Sequence, residues 1–182
     1  MSRIRGKDTT PELKVRGRLF ADKFRYRLNV RSLPGTPDIV LPKYRTCIFV
    51  NGCFWHGHKG CKYYTVPKTN SEFWIQKIRK NQERDIISIT RLESLNWSVI
   101  TIWECELKPK SLDDTMSKIE SELQTNKIKW ENYLIRRKTD IEFAKAESER
   151  IKSVRALVEK ELDEQFYIPK KIRRMSHKET EI

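Results

Sequence analysis

The sequence predicts an α/β fold with a helical C-terminal extension, and three observations carry that expectation. Segments of helical spacing and short β-rich runs follow one another as helix, two strands, long helix, strand. The β-rich runs are continuous, apolar and bounded by Pro and Gly, as buried strands are. After Leu107 the composition changes, and residues 129–164 are highly charged with neither Gly nor Pro.

The first helix lies in TTPELKVRGRLFADKF. Thr10 is a candidate N-cap, Pro11 suits the first helical position, and Glu12 suits the positive end of the helix dipole. Leu13, Leu19, Phe20 and Phe24 can share an inward face, leaving Lys14, Arg16, Arg18 and Lys23 on a basic outer one. The runs DIVL and TCIFV read as neighbouring buried strands, and WSVITIW (Trp97–Trp103) as a third. Between them TNSEFWIQKIRKNQERDIISITRLESLN has helical spacing. Thr69 and Glu72 offer a capping box there, and Phe73, Ile78, Ile86, Ile89 and Leu92 a core face. The expected organisation is an α/β domain at 1–107, a short helix and connection at 108–128, a charged helical extension at 129–165, and a flexible basic tail at 166–182. The extension's thin apolar stripe (Leu134, Ile141, Ala144, Ile151, Leu157, Val158, Leu162) suits a helix leaning on its own domain better than a coiled coil.

The chain has 182 residues, 38 Lys and Arg against 25 Asp and Glu, and a formal net charge of +13. A polyanion is the natural partner of such a surface, because cationic side chains neutralise phosphates and release their counterions. No apolar run is long enough to span a bilayer and no signal peptide opens the chain, so a cytoplasmic protein is expected. In a reducing compartment the four cysteines point to metal binding or free thiols rather than disulfides.

The stretch NGCFWHGHKGCKYY (Asn51–Tyr64) concentrates two cysteines, two of the three histidines and four aromatics. Cys53, His58 and Cys61 form a C-x4-H-x2-C cluster, whose thiolates and imidazole suit tetrahedral Zn²⁺. Cys105 is the best fourth ligand, and unlinked thiols are the alternative. Cys47, inside an apolar strand, reads as a small buried hydrophobe. His56 lies between two of these ligands and is left to face elsewhere. With Asp38, which opens a strand, it could pair a Mg²⁺-binding carboxylate with a general base; an ordinary turn aspartate is the other reading. Phe54 and Trp55 are consecutive large rings in one loop, and Trp74 begins the long helix. Such rings either complete a core or wedge into a base stack.

The phrases LPGTPDIVLPKYRTCIFVNGCFWHGH, SEFWIQKIRKNQERD and VITIWECEL, over about residues 3–107, resemble the very short patch repair (Vsr) DNA mismatch endonucleases. That resemblance implies a restriction-endonuclease-like mixed sheet flanked by helices, with a structural zinc site. It implies Mg²⁺-dependent nicking of double-stranded DNA 5′ to the thymine of a T·G mismatch, the product of 5-methylcytosine deamination. Other mismatch-repair proteins are candidate partners. Carried over by position, Asp38 binds the catalytic metal, with the Val50 carbonyl as a second contact. His56 is the general base, Glu12 and Asp85 are auxiliary acids, and Cys53, His58, Cys61 and Cys105 hold zinc. Phe54, Trp55 and Trp74 form the wedge, and Lys77 and Lys80, on the same helix as Trp74, are expected to contact DNA. The acid and lysine of the wider nuclease signature would fall near Phe49 and Asn51, as in the Vsr branch. Asn51 stands where some members carry histidine; it can bind phosphate or water but cannot shuttle a proton. Members also commonly have a basic arm before the point matching Met1. The other readings are a DNA-binding accessory protein of this fold that cleaves little, and a nuclease of this fold with a different target.

Overall fold

The computed structural model describes residues 8–139 and 141–165. The elements are α1 (Thr10–Ala21), β1 (Arg27–Leu28), β2 (Ile39–Leu41), β3 (Thr46–Asn51), α2 (Ser71–Ser94), β4 (Ser98–Trp103), α3 (Leu112–Thr139) and α4 (Ile141–Gln165). The four strands form one mixed sheet in the order β1-β2-β3-β4. β1, β2 and β3 are antiparallel neighbours, whereas β4 runs parallel to β3 after the α2 crossover. The expected α/β class and its three apolar strands stand. β1 was not foreseen, because two exposed residues are too few to show a period.

Alternation along the strands sorts the sheet into two faces. Ile39, Leu41, Ile48, Ile100 and Ile102 face α1 and α3, where Val15, Leu19, Met116, Ile119 and Leu123 complete the main core. Val40 and Cys47 face the other way, against Leu92 of α2, with Phe49, Trp97 and Val99 beside them. Cys47 is fully buried there, as expected of a small hydrophobe, and burial pushes its thiol up to about 12.

Four local expectations need correction. The N-cap of α1 is Thr9, not Thr10, and it forms a capping box with Glu12, an arrangement that stabilises a helix by about 1 kcal/mol. The inward face of α1 is Glu12, Val15, Arg16 and Leu19; Leu13 and Phe20 are 53% and 61% exposed, and Arg16 leaves the outer basic face for the interior. On α2, Ile78 and Leu92 are buried, but Phe73 and Ile86 are exposed, and the helix starts at Ser71 after a left-handed Asn70 with no side-chain cap. α3 is one uninterrupted helix of 28 residues, in which Met116, Ile119 and Leu123 plug the main core before the chain reaches the charged segment.

The charged segment does lean on its own domain. α4 packs against α2 and α3, and its Val158 is buried. Asn96, in the α2–β4 turn, donates to Tyr133 Oη at 3.2 Å and to Glu147 at 3.0 Å, which fastens both long helices to the sheet. Arg45 lies between the rings of Trp97 and Trp130, at 4.1 and 4.5 Å from their centroids. The expected basic tail at 166–182 lies outside the described residues, as do Ile141, Ala144 and Leu162 as packing residues.

Candidate active site and metal centre

The parallel register of β3 and β4 builds the metal centre. Asn51 lies opposite Trp103, so two residues further on Cys53 and Cys105 leave the same edge of the sheet. The chain after β3 turns back tightly, with His58 N–H donating to Cys53 C=O at 2.9 Å and Cys61 N–H to His58 C=O at 3.3 Å. The ligand atoms of Cys53, His58, Cys61 and Cys105 consequently lie within 4.8 Å of one another. His58 Nδ1 is 3.6 Å from Cys53 Sγ and 3.4 Å from Cys105 Sγ. A tetrahedral zinc ion with ordinary bond lengths requires sulfur and nitrogen about 3.6 Å apart, so the donor set and its spacing fit zinc. The thiols also need a cation to ionise together: burial and two neighbouring sulfurs push Cys105 up to about 12, and burial raises Cys53. Cys61 goes the other way, lowered chiefly by the Tyr63 N–H. The His58 ring stacks on Trp103, 4.1 Å between centroids and 6° from parallel.

His56, between these ligands, points away to α2. Its Nδ1 is 2.5 Å from Asp85 Oδ2. A carboxylate at this position favours the tautomer with N–H at Nδ1, which leaves the Nε2 lone pair free. Two further contacts pin the loop to α2: Asn81 Nδ2 donates to Trp55 C=O at 2.7 Å, and Gln82 Nε2 to His56 C=O at 3.3 Å. Gly57, between His56 and His58, has φ +62°, and a Cβ there would lie 2.6 Å from Gln82 and 2.8 Å from Ile78. Only glycine allows the loop to lie this close to α2.

Asp38 precedes β2. Its Oδ2 accepts the Val50 N–H at 2.8 Å, so the carboxylate is fixed against the residue whose carbonyl is the expected second metal contact. Burial raises the Asp38 pKa, the Val50 N–H opposes that, Glu12 raises it further, and Arg16 and His56 lower it. A partly buried carboxylate with a second one nearby is a hard oxygen environment suited to Mg²⁺. Asp38, Glu12, His56 and Asp85, drawn from four segments, thus share one neighbourhood. Glu12 is heavily engaged: its carboxylate accepts from Asp8 N–H, Thr9 N–H, Thr9 Oγ and Arg16 Nη2. Asn51 is buried at the end of β3.

Phe54, Trp55 and Trp74 meet in one cluster, with centroids 5.3, 5.3 and 5.8 Å apart and edge-on geometry. All three remain partly exposed, and exposed Phe73 joins at 5.2 Å from Trp74. Lys77 and Lys80 are exposed on α2, one and two turns beyond these rings. The sequence reading missed Arg16, Asn81, Gln82 and Trp103 as neighbours of the site. Only Arg16 carried a signal, its i+4 spacing from Glu12.

The family model described as DNA mismatch endonuclease Vsr matches residues 1–63. The type II nicking enzyme V.NmeAIP of Neisseria meningitidis serogroup A is 51% identical over 112 residues, 62% of this chain and 79% of that relative. The type II nicking enzyme V.XorIIP of Xanthomonas oryzae pv. oryzae is 45% identical over 107 residues, 59% of this chain and 78% of its own. The DNA mismatch endonuclease Vsr of Escherichia coli is 44% identical over 108 residues, 59% of this chain and 69% of that enzyme. At this identity, and with most of each relative covered, the chain belongs to the Vsr family of DNA mismatch endonucleases.

Proposed function

We propose that this endonuclease nicks double-stranded DNA 5′ to the thymine of T·G mismatches left by deaminated 5-methylcytosine, by Mg²⁺-dependent phosphodiester hydrolysis. The observation that carries the reading is the 2.5 Å His56–Asp85 contact, made by the same loop that bears Cys53, His58 and Cys61 of the Cys3His cluster and the rings of Phe54 and Trp55. His56 Nε2 takes the proton from the attacking water, and Asp85 keeps the ring in the required tautomer and stabilises the imidazolium that forms. Asp38 and the Val50 carbonyl would hold magnesium, which when bound supplies positive charge to the scissile phosphate. Zinc on Cys53, His58, Cys61 and Cys105 would hold the loop rigid. Phe54, Trp55 and Trp74 open the step beside the mismatch, and Lys77 and Lys80 neutralise phosphate. Residues 1–107 carry this chemistry, and 129–165 form the helical extension.

One observation favours a second reading. Asn51 is buried and cannot titrate where some relatives carry histidine, as would suit a DNA-binding accessory protein that cleaves little. Single-turnover nicking of T·G and T·A duplexes, with and without Mg²⁺, separates the two. Cleavage confined to T·G and to Mg²⁺ is expected. Asp38→Ala should abolish it with DNA binding intact, and His56→Ala should slow it by roughly 10²–10⁴-fold. Parental rates in Asp38→Ala would refute the site. Binding without cleavage by the parent would favour the accessory protein, and Mg²⁺-dependent cutting of another duplex a different target.

A further inference from the structure

We infer that Arg16 is a positioning residue of the endonuclease: its guanidinium bridges Glu12 and Asp8 and so holds the Glu12 carboxylate beside Asp38. The inference rests on the nicking site proposed above. α1 turns Glu12 and Arg16 inward, next to the core residues Val15 and Leu19. Arg16 Nη2 donates to Glu12 Oε2 at 2.6 Å, between side chains only 6% and 5% exposed, and Nη1 donates to Asp8. Folding alone does not call for this, since a buried ion pair replaced by apolar groups of similar volume often leaves stability unchanged or improved. One more feature fits a side chain held for position. Among the described residues, Arg16 Nε is the buried side-chain polar atom with no hydrogen-bond partner.

The geometry explains what the bridge does. A carboxylate offers about four acceptor directions. Those of Glu12 meet Asp8 N–H, Thr9 N–H, Thr9 Oγ and Arg16 Nη2, so the group cannot rotate. Glu12 and Arg16 both act electrostatically on Asp38, in opposite directions. Without the guanidinium, two carboxylates would share a poorly hydrated site with no fixed cation between cap and strand, and Glu12 would turn away. Lysine could supply the charge but not the two-armed bridge.

The test is a double-mutant cycle on the full-length, zinc-loaded protein: Arg16→Met, Arg16→Lys, Glu12→Gln and the double variants, in single-turnover nicking across a Mg²⁺ titration. Zinc content, thermal midpoint and duplex affinity serve as controls. Arg16→Met should lower the rate at saturating Mg²⁺ by roughly 10–100-fold, the scale of contact couplings, with duplex affinity within about threefold. Arg16→Lys should fall between it and the parent. Adding Glu12→Gln to Arg16→Met should cost little more than the worse single change, because both act through one carboxylate. A parental rate in either Arg16 variant, or multiplicative effects in the cycle, would overturn the inference. If Arg16→Met does not fold, the Arg16→Lys and Glu12→Gln cycle decides in the same way. Asp38→Ala in the same series separates the two failures. An active Asp38→Ala removes the site itself, whereas an inactive Asp38→Ala beside a parental Arg16→Met removes only this role.

Discussion

Replacing Cys105 by serine tests the metal centre most directly. Cys105 is the one ligand of the cluster that comes from a distant segment, across the α2 crossover. An ion on Cys53 and Cys105 closes a loop of about 50 residues, and closing a loop of that size restricts the unfolded chain by about 4 kcal/mol. The affinity of small structural zinc sites is larger, roughly 10–16 kcal/mol, and would exceed the whole stability of a typical domain. The structure decides between these figures. β3 and β4 are held in a six-pair parallel register, and two hydrophobic clusters flank them, so the sheet does not depend on zinc to form. The loss should therefore be near the loop-closure figure, a fall of about 8–16 °C in thermal midpoint for a chain of this size. Zinc measured by elemental analysis should drop from one per chain to near zero. Cys47→Ser, which buries a hydroxyl among Val40 and Leu92, should keep its zinc while losing about 1–3 kcal/mol. Full zinc and an unchanged midpoint in Cys105→Ser would refute the assignment.

Two further outcomes follow from the site. Trp55→Ala should fold and keep zinc, because the Asn81 bond holds the Trp55 backbone rather than its ring, and losing two ring contacts costs about 1–3 kcal/mol. Its preference for T·G over T·A should fall by more than its general affinity, read by fluorescence of a base analogue beside the mismatch; lower stability with selectivity intact would make Trp55 a core residue only. Asp38→Asn should change the pH dependence of stability in Mg²⁺-free buffer. The folded protein keeps the Asp38 proton to higher pH than the unfolded chain does, so parental stability falls as pH rises from the ordinary carboxylate range through the raised value. The variant should lack that fall and be the more stable of the two at neutral pH, and parallel melting profiles for the two proteins would contradict this.

The order of elements was legible because each left a periodic trace: continuous apolar strands at Ile39–Leu41, Thr46–Asn51 and Ser98–Trp103, and helical spacing along α2. The metal ligands were legible for a different reason, that three lie within nine residues and thiolate with imidazole has few other uses in such a cluster. The family phrases added the roles expected of Asp38, His56 and Asp85. The inward face of α1 was misread because apolarity was the guide, whereas Glu12 and Arg16 are buried as a pair and Leu13 and Phe20 are left outside.

The sequence by itself determined the α/β class, the net basic charge, the C-x4-H-x2-C group of candidate metal ligands and the chemical types at the site, since each depends on residue identity or on spacing within one segment. Only the tertiary structure decided that Cys105 reaches Cys53, that Asp85 rather than a nearer carboxylate meets His56, that Asn81 and Gln82 pin the loop, and that Arg16 joins Glu12 beside Asp38. Those contacts are set by strand register and by which helix face turns inward, and these depend on burial summed over the whole core rather than on any local run of residues.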